Sequence, residues 1–149
     1  MGFKMYKCII VGVDGSKYAE AALDTAIELA KLGDSSLGII YIYGTPETLG
    51  RSLPLKVPEA SKAVSSVMEP LLKKYEEKAK SAGVKDVKAK IVPAWGGEAV
   101  GLINYSDKHN CKLLVIGTRG LTGLKRTLLG SVAEFVLKNS ECDVLAVRS

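Results

Sequence analysis

Five short apolar runs alternate with four longer segments of helical periodicity, and this alternation restricts the fold more than any other feature. The strand-like runs are Tyr6–Val13, Leu37–Tyr43, Val87–Pro93, Leu113–Ile116 and Val144–Val147. The helical segments are one that runs to about Leu32, then Glu59–Ala82, Glu98–His109 and Val132–Asn139. Parallel strands joined by right-handed helical crossovers form a doubly wound sheet. The sequence therefore predicts one α/β domain over residues 1–149, with a five-stranded, mainly parallel sheet and helices on both faces.

The stretch Gly117–Ser131 connects the fourth strand to the last helix and is rich in glycine and basic residues. Ser131 and Glu134 have the spacing of a capping box, which predicts that Ser131 is the N-cap of that helix. Ligands of open α/β sheets bind at the carboxyl ends of strands, and helix N-termini attract phosphate. Glycines can adopt positive φ, and they let a ligand approach the backbone closely. Composition alone is equally compatible with a phosphate site and with a basic connecting loop.

Two common nucleotide motifs are absent from the sequence. No Gly-x-x-x-x-Gly-Lys-Ser/Thr run occurs, and the first strand turns through Gly12-Val13-Asp14-Gly15-Ser16 without a Gly-x-Gly-x-x-Gly fingerprint. Neither a Walker A loop nor a Rossmann dinucleotide loop is therefore predicted.

The loop instead has the glycine spacing of one known family. Two residues separate Gly117 from Gly120, and nine more precede Gly130-Ser131. This pattern resembles the nucleotide loop of the ATP-binding universal stress proteins, and the resemblance covers nearly the whole chain. It implies a stress-response protein that binds ATP or another adenine nucleotide and acts as a nucleotide-dependent switch or sensor. It also implies a homodimer formed through the last strand, Val144–Val147.

The same resemblance implies a set of site residues. Asp14 would contact the ribose, or it could alternatively serve only as a helix cap. The neighbouring backbone would recognise the adenine, and Ile42 would border the base. Loop amides and Ser131 would hold the β- and γ-phosphates. Arg119 and Lys125 would neutralise charge, and Mg²⁺ would bind through phosphate oxygens. The complete predicted set is Gly12, Val13, Asp14, Ile42, Gly117, Thr118, Arg119, Gly120, Gly130, Ser131 and Val132.

Two features near the predicted site leave alternatives open. Trp95 departs from the Gly-x-Pro that the family often carries after the third strand, and it could stack on adenine, form a dimer contact or pack. The connection from Gly44 to about Pro58 contains three prolines and leaves the same edge of the sheet. Long connections in compact domains are often functional, so we expect this one to flank or cover the ligand.

Composition excludes several classes of protein. The net charge of +5 favours anionic ligands, but no helix combines a basic stripe with aromatics, so no nucleic-acid partner is expected. No apolar run reaches membrane-spanning length and no signal core is present. The three cysteines have no paired or metal-binding spacing, which predicts reduced thiols in a soluble, cytoplasmic chain.

Catalysis is not strongly predicted. Phosphoryl transfer to water needs an oriented water and compensation of transition-state charge. The basic loop offers the second, but Asp14 is the one candidate base and the ribose would occupy it. The leading hypothesis is therefore a nucleotide-binding protein with at most weak ATP hydrolysis. The alternatives are a slow ATPase and a nucleotide-independent dimeric interaction module.

Overall fold

The computed structural model describes residues 6–44, 57–119 and 128–149. Of residues 57–61 it describes the backbone, and side chains are described again from residue 62. Strands and helices alternate along these ranges. Their bounds are β1 (Cys8–Gly12), α1 (Lys17–Gly33), β2 (Ser36–Gly44), α2 (Val57–Ala82), β3 (Val87–Ala94), α3 (Glu98–Lys108), β4 (Leu113–Gly117), α4 (Ser131–Asn139) and β5 (Asp143–Val147).

The sheet has the strand order β3-β2-β1-β4-β5, and each neighbouring pair is parallel. The chain builds outward from β1 through β2 to β3, then returns to the other side of β1 for β4 and β5. The strand order thus reverses between β1 and β4, which creates a crevice at their carboxyl ends. This architecture confirms the predicted doubly wound α/β fold and places β3 and β5 at the sheet edges.

Each face of the sheet is covered by two helices. One core contains the apolar residues of α1 and α2, and the other contains those of α3 and α4. The buried residues of α1 recur at helical spacing, because one stripe of the helix faces the sheet; they are Ala19, Ala22, Leu23, Ala26, Ile27 and Ala30. In β1, successive residues Ile9, Ile10 and Val11 are all buried, as expected for a central strand covered on both faces.

Helices often end with a glycine in the left-handed conformation, but at the end of α1 another residue adopts it. Gly33 is the last residue of the helix, and Asp34 takes that conformation instead, with φ of 50°. Aspartate tolerates this region better than most residues, and the Asp34 N–H donates to the carbonyls of Ala30 and Lys31. Pro70 lies inside α2, which continues through it, so the chain does not restart there.

The start of α4 also corrects a prediction. Gly130 is the N-cap, with φ of −64° and ψ of 157°, and Ser131 is the first helical residue. No side chain makes a capping hydrogen bond at this end of the helix. The Gly130 N–H donates to the Thr118 carbonyl at 2.7 Å, which fixes the entry into the helix one residue earlier than the capping box predicts.

The prediction of three reduced cysteines is wrong for two of them. Cys8 and Cys111 form a disulfide, with their Cα atoms 4.8 Å apart. They are 103 residues apart in sequence, but Ile9 of β1 lies opposite Leu113 of β4. The first residue of β1 therefore meets the segment just before β4. Cys142 is a free, partly buried thiol.

Candidate functional site

A cavity of about 340 Å³ lies at the carboxyl ends of β1, β2 and β4 and at the amino ends of α3 and α4. Its volume falls within the range of small-molecule sites. Eight of the residues predicted from sequence line it, namely Gly12, Asp14, Ile42, Gly117, Arg119, Gly130, Ser131 and Val132. The fold therefore brings the turn after β1, the end of β2 and both ends of the Gly117–Ser131 loop to one site.

Three predicted residues do not line the cavity as described. Val13 is buried in the core between the sheet and α1, and its N–H donates to the Ile40 carbonyl. Thr118 is buried as well, and its N–H donates to the Val147 carbonyl. Gly120 lies outside the described residues, as does most of the connection from Gly44 to Pro58.

Asp14 has a structural role in the turn between β1 and α1. Its Oδ1 accepts a 2.9 Å hydrogen bond from the Ser16 N–H, and the Ser16 hydroxyl accepts from the Ala19 N–H at 3.1 Å. Ser16 is thus the N-cap of α1, and Asp14 supports the cap. A carboxylate can accept several hydrogen bonds, so this role leaves Asp14 capacity to bind a ligand at the cavity that it lines.

The described glycines of the loop are required for close backbone packing. A Cβ atom on Gly117 would lie 2.9 Å from the Tyr18 carbonyl oxygen, and one on Gly130 would lie 3.1 Å from the Thr118 carbonyl oxygen. Neither glycine has a positive φ. The neighbouring backbone, and not a positive φ, is therefore what excludes a side chain at these two positions.

The apolar end of the cavity is formed by β2 and α3. Ile42 and Leu102 are 6% and 1% exposed. A Cβ atom on Gly12 would lie 2.8 Å from the Leu102 Cδ1, and one on Gly101 would lie 2.8 Å from the Ile42 Cγ2. The absence of side chains at Gly12 and Gly101 thus lets α3 approach β1 and β2 closely, which closes this end of the cavity.

Among the cavity-lining residues that the structure describes, Arg119 is the one with a basic side chain. Its guanidinium carbon lies 4.3 Å from the centre of the Tyr18 ring, in a cation–π contact. Its Nη2 donates to the Ser149 carbonyl oxygen at 2.7 Å. These contacts hold a positive charge beside the first turn of α4, where unpaired N–H groups also attract anions.

Glu98 and Tyr41 line the cavity but were not predicted as site residues. Burial, with a further contribution from the Asp14 carboxylate, raises the pKa of Glu98 to about 7. Burial also raises the pKa of Tyr41, with contributions from Glu98 and Asp14. These three groups therefore interact electrostatically. The available sequence signal for Glu98 was its place just after β3, at the same sheet edge as Asp14.

Trp95 and His109 lie away from this cavity. Trp95 is 70% exposed and lines a different pocket beside the edge strand β3, and it does not line the main cavity. The His109 ring stacks on Tyr105 with 3.9 Å between ring centres, and its Nδ1 lies 3.0 Å from the Tyr105 carbonyl oxygen.

Within residues 6–44, 57–119 and 128–149, no three His, Cys, Asp or Glu side chains come together as a set of metal ligands. None of the helices described is both long and apolar enough to cross a membrane.

Comparison with known proteins identifies a single family. Residues 5–148 match the profile of the universal stress protein family. A universal stress protein of Methanocaldococcus jannaschii is 34% identical over 147 residues, which cover 99% of this chain and 85% of the relative. The universal stress protein YxiE of Bacillus subtilis is 34% identical over 148 residues, with 97% and 100% of the two chains covered.

Solved structures agree with the sequence comparison. A universal stress protein in complex with cAMP has a TM-score of 0.71 and 31% identity to this chain, covering 95% of this chain and 97% of the other. The universal stress protein of Archaeoglobus fulgidus in complex with dAMP has a TM-score of 0.66 at 22% identity, covering 95% and 98%, and this likeness supports the fold.

Proposed function

Because the chain belongs to the universal stress protein family, we propose that it binds an adenine nucleotide, ATP in particular, in the cavity at the carboxyl ends of β1, β2 and β4. The observation that carries this proposal is the distribution of charge along the cavity wall. The Asp14 carboxylate, the Arg119 guanidinium and the amino end of α4 all line this cavity. Support for an adenine ligand comes from the 31% identical universal stress protein that was solved with cAMP.

Each part of the nucleotide has a chemically suitable wall. The Asp14 carboxylate would accept hydrogen bonds from the ribose hydroxyls, while Ile42 and Leu102 would contact the base. The backbone N–H groups at the start of α4, the Ser131 hydroxyl and the Arg119 guanidinium would hold the phosphates. Backbone of Gly12, Gly117, Gly130 and Val132, which line the cavity, would complete the site.

Mg²⁺ enters this proposal through the nucleotide. Among the described residues of the cavity wall, Asp14 and Glu98 carry carboxyl groups, and we assign Asp14 to the sugar. Mg²⁺ commonly keeps several waters and binds substrate phosphates, so it would bridge phosphate oxygens and reduce their charge. We further propose that occupancy changes the surface that the Gly117–Ser131 loop presents to a partner, which would make the protein a switch or sensor.

We propose that this switch acts by binding and hydrolyses ATP weakly at most. Hydrolysis requires a group that orients water near the γ-phosphate, and our assignment uses the Asp14 carboxylate for the ribose. Single-turnover hydrolysis with Mg²⁺ should then proceed no faster than in buffer. A rate clearly above buffer, abolished by Asp14→Asn, would favour the slow ATPase instead.

We also propose a cytoplasmic homodimer of one 149-residue domain, paired through the edge strand β5. The strand pairs with β4 on one side and ends the sheet on the other. Exposed edges favour pairing with another chain. Light scattering at micromolar concentration should give twice the 15.9 kDa of one chain, and a monomeric mass would contradict the dimer.

Calorimetric titration of nucleotide-stripped protein tests the binding site. We expect micromolar affinity for ATP with Mg²⁺ and weaker binding of AMP, because the loop would contact the outer phosphates. Asp14→Asn keeps an acceptor for the Ser16 N–H but loses the charge, so ATP affinity should fall by roughly 10-fold. Asp107→Asn, on the exposed end of α3, is the matched control and should bind like the wild type. No heat with any adenine nucleotide would contradict the proposal.

A further inference from the structure

The cavity contains a second acidic side chain that neither the sugar nor the phosphates require. Resting on the proposed nucleotide site, we propose that the Glu98 carboxyl contacts the nucleobase and selects between purines. The protonated acid favours adenine, and the carboxylate favours guanine.

Glu98 lines the cavity together with the apolar residues Ile42 and Leu102, which we assign to the base. The polar side chains along the described wall are those of Asp14, Tyr41, Glu98, Arg119 and Ser131. Arg119 and Ser131 hold the phosphates in the proposed arrangement, and Asp14 takes the sugar. Glu98 begins α3, the helix that carries Leu102 and that packs on β2, β3 and α4. By this assignment, Glu98 and Tyr41 are the polar groups that remain to meet the base beside the apolar wall.

The local backbone directs Glu98 toward the cavity. Gly96 and Gly97 have φ values of 89° and 98°, which side-chain-bearing residues rarely adopt. Gly97 is the N-cap of α3 and no side chain makes a capping hydrogen bond there, so the Glu98 carboxyl does not serve as the helix cap. The double-glycine turn thus starts α3 with a half-buried acid on the cavity wall.

The two purines differ in the hydrogen-bonding pattern that a carboxyl group can match. The Watson–Crick edge of adenine offers one donor, the N6 amine, next to one acceptor, N1. A protonated carboxyl also offers one donor and one acceptor, so the pair is complementary. Guanine offers two adjacent donors, N1–H and the N2 amine, which suit the two acceptor oxygens of a carboxylate. The protonation state of Glu98 therefore decides which base is matched.

Both forms of Glu98 are populated near neutral pH. Burial and the nearby Asp14 carboxylate raise its pKa to about 7, against the opposite influence of the helix N-terminus. The other titratable groups on elements around it are Tyr41 of β2, Arg119 after β4, and Glu134 in the first turn of α4, whose carboxylate forms an ion pair within that helix. The carboxyl end of β3, residues 92–94, carries no titratable side chain.

The test compares ATP and GTP affinities from pH 6 to pH 8 by calorimetry on the full chain. Both nucleotides carry the same triphosphate, so the ratio of their affinities cancels phosphate ionisation. With a pKa of about 7 in the free protein, the preference for ATP over GTP should fall by about 10- to 100-fold across this range. Titrations at pH 7 in buffers of different ionisation enthalpy should show that ATP binding takes up more protons than GTP binding does.

Two variants complete the design. Glu98→Gln presents a donor and an acceptor at every pH, so it should prefer ATP throughout and show no pH-dependent ratio. Glu141→Gln, at an exposed position in the turn before β5, should behave like the wild type. Thermal unfolding of each variant verifies that it is folded.

Each result decides the inference. A wild-type ratio that does not change with pH, or an unchanged pH dependence in Glu98→Gln, would overturn base selection by Glu98 while leaving the nucleotide site intact. Absence of binding by both nucleotides at every pH would overturn the nucleotide site and this inference together.

Discussion

Replacing Ser131 by alanine separates the two roles that sequence patterns assign to this residue, helix cap and phosphate ligand. In the structure Ser131 is exposed, is the first residue of α4, and is not the N-cap. Ser131→Ala should therefore change the free energy of unfolding by no more than about 0.5 kcal/mol, as for an ordinary surface substitution. Alanine is the better helix former, so the change should be neutral or slightly stabilising.

The effect on nucleotide binding should be much larger. A hydrogen bond from the hydroxyl to a phosphate oxygen is charge-assisted, and such bonds contribute roughly 1.5–3 kcal/mol. Its loss should weaken ATP binding by about 10- to 100-fold. The backbone N–H groups of α4 remain in the variant, so binding should be reduced rather than abolished.

Ser16→Ala is the matched control, since Ser16 is a genuine N-cap whose hydroxyl accepts from the Ala19 N–H at 3.1 Å. This variant should lose about 1 kcal/mol of stability. Urea denaturation and ATP calorimetry on both variants give the comparison. The reasoning is refuted if Ser131→Ala loses as much stability as Ser16→Ala, or if it binds ATP as tightly as the wild type.

Three further outcomes follow from the same geometry. Gly117→Ala should cost about 1–3 kcal/mol of stability, since its Cβ would meet a backbone oxygen at 2.9 Å. Urea denaturation should show a smaller loss for Gly12→Ala, because the atoms nearest its new Cβ belong to the side chain of Leu102. Reduction of the Cys8–Cys111 disulfide by dithiothreitol should lower the free energy of unfolding by roughly 2–4 kcal/mol. The control is a variant with both cysteines replaced by serine, whose stability should not respond to the reductant. The pKa of Glu98 is about 7 in the folded state against an ordinary 4.5, so the folded protein loses stability as pH rises between these values. Glu98→Gln should therefore raise the melting temperature at pH 8 and not at pH 4. Equal shifts of the melting temperature at both pH values would contradict this reasoning.

The elements were predictable because local pattern and final environment agree. The apolar stripe of α1 and the continuous apolar run of β4 each match one structure type, and β3 alternates as an edge strand does. Helix ends were less predictable, since they depend on contacts elsewhere in the chain. Gly130 caps α4 because its N–H donates a hydrogen bond to the carbonyl of Thr118, a residue on the other side of the loop.

Some residues of the candidate site were likewise predictable from the sequence, and others were not. Asp14, Ile42 and the loop residues were identified from a resemblance carried by spacing, and eight of them line one cavity. Glu98 was not identified, because its proximity to Asp14 arises only when α3 packs against the strands that follow β1 in the chain.

By itself, the sequence determined the alternation of strands and helices, the parallel doubly wound sheet and the family, because these follow from periodicity and from the spacing of residues along the chain. Only the tertiary structure decided that Cys8 meets Cys111 and that Ser131 lies outside the cap. The same packing alone raises the pKa of Glu98 beside Asp14. Each of these depends on distances between residues far apart in sequence, which the packing of helices on the sheet sets and local pattern does not encode.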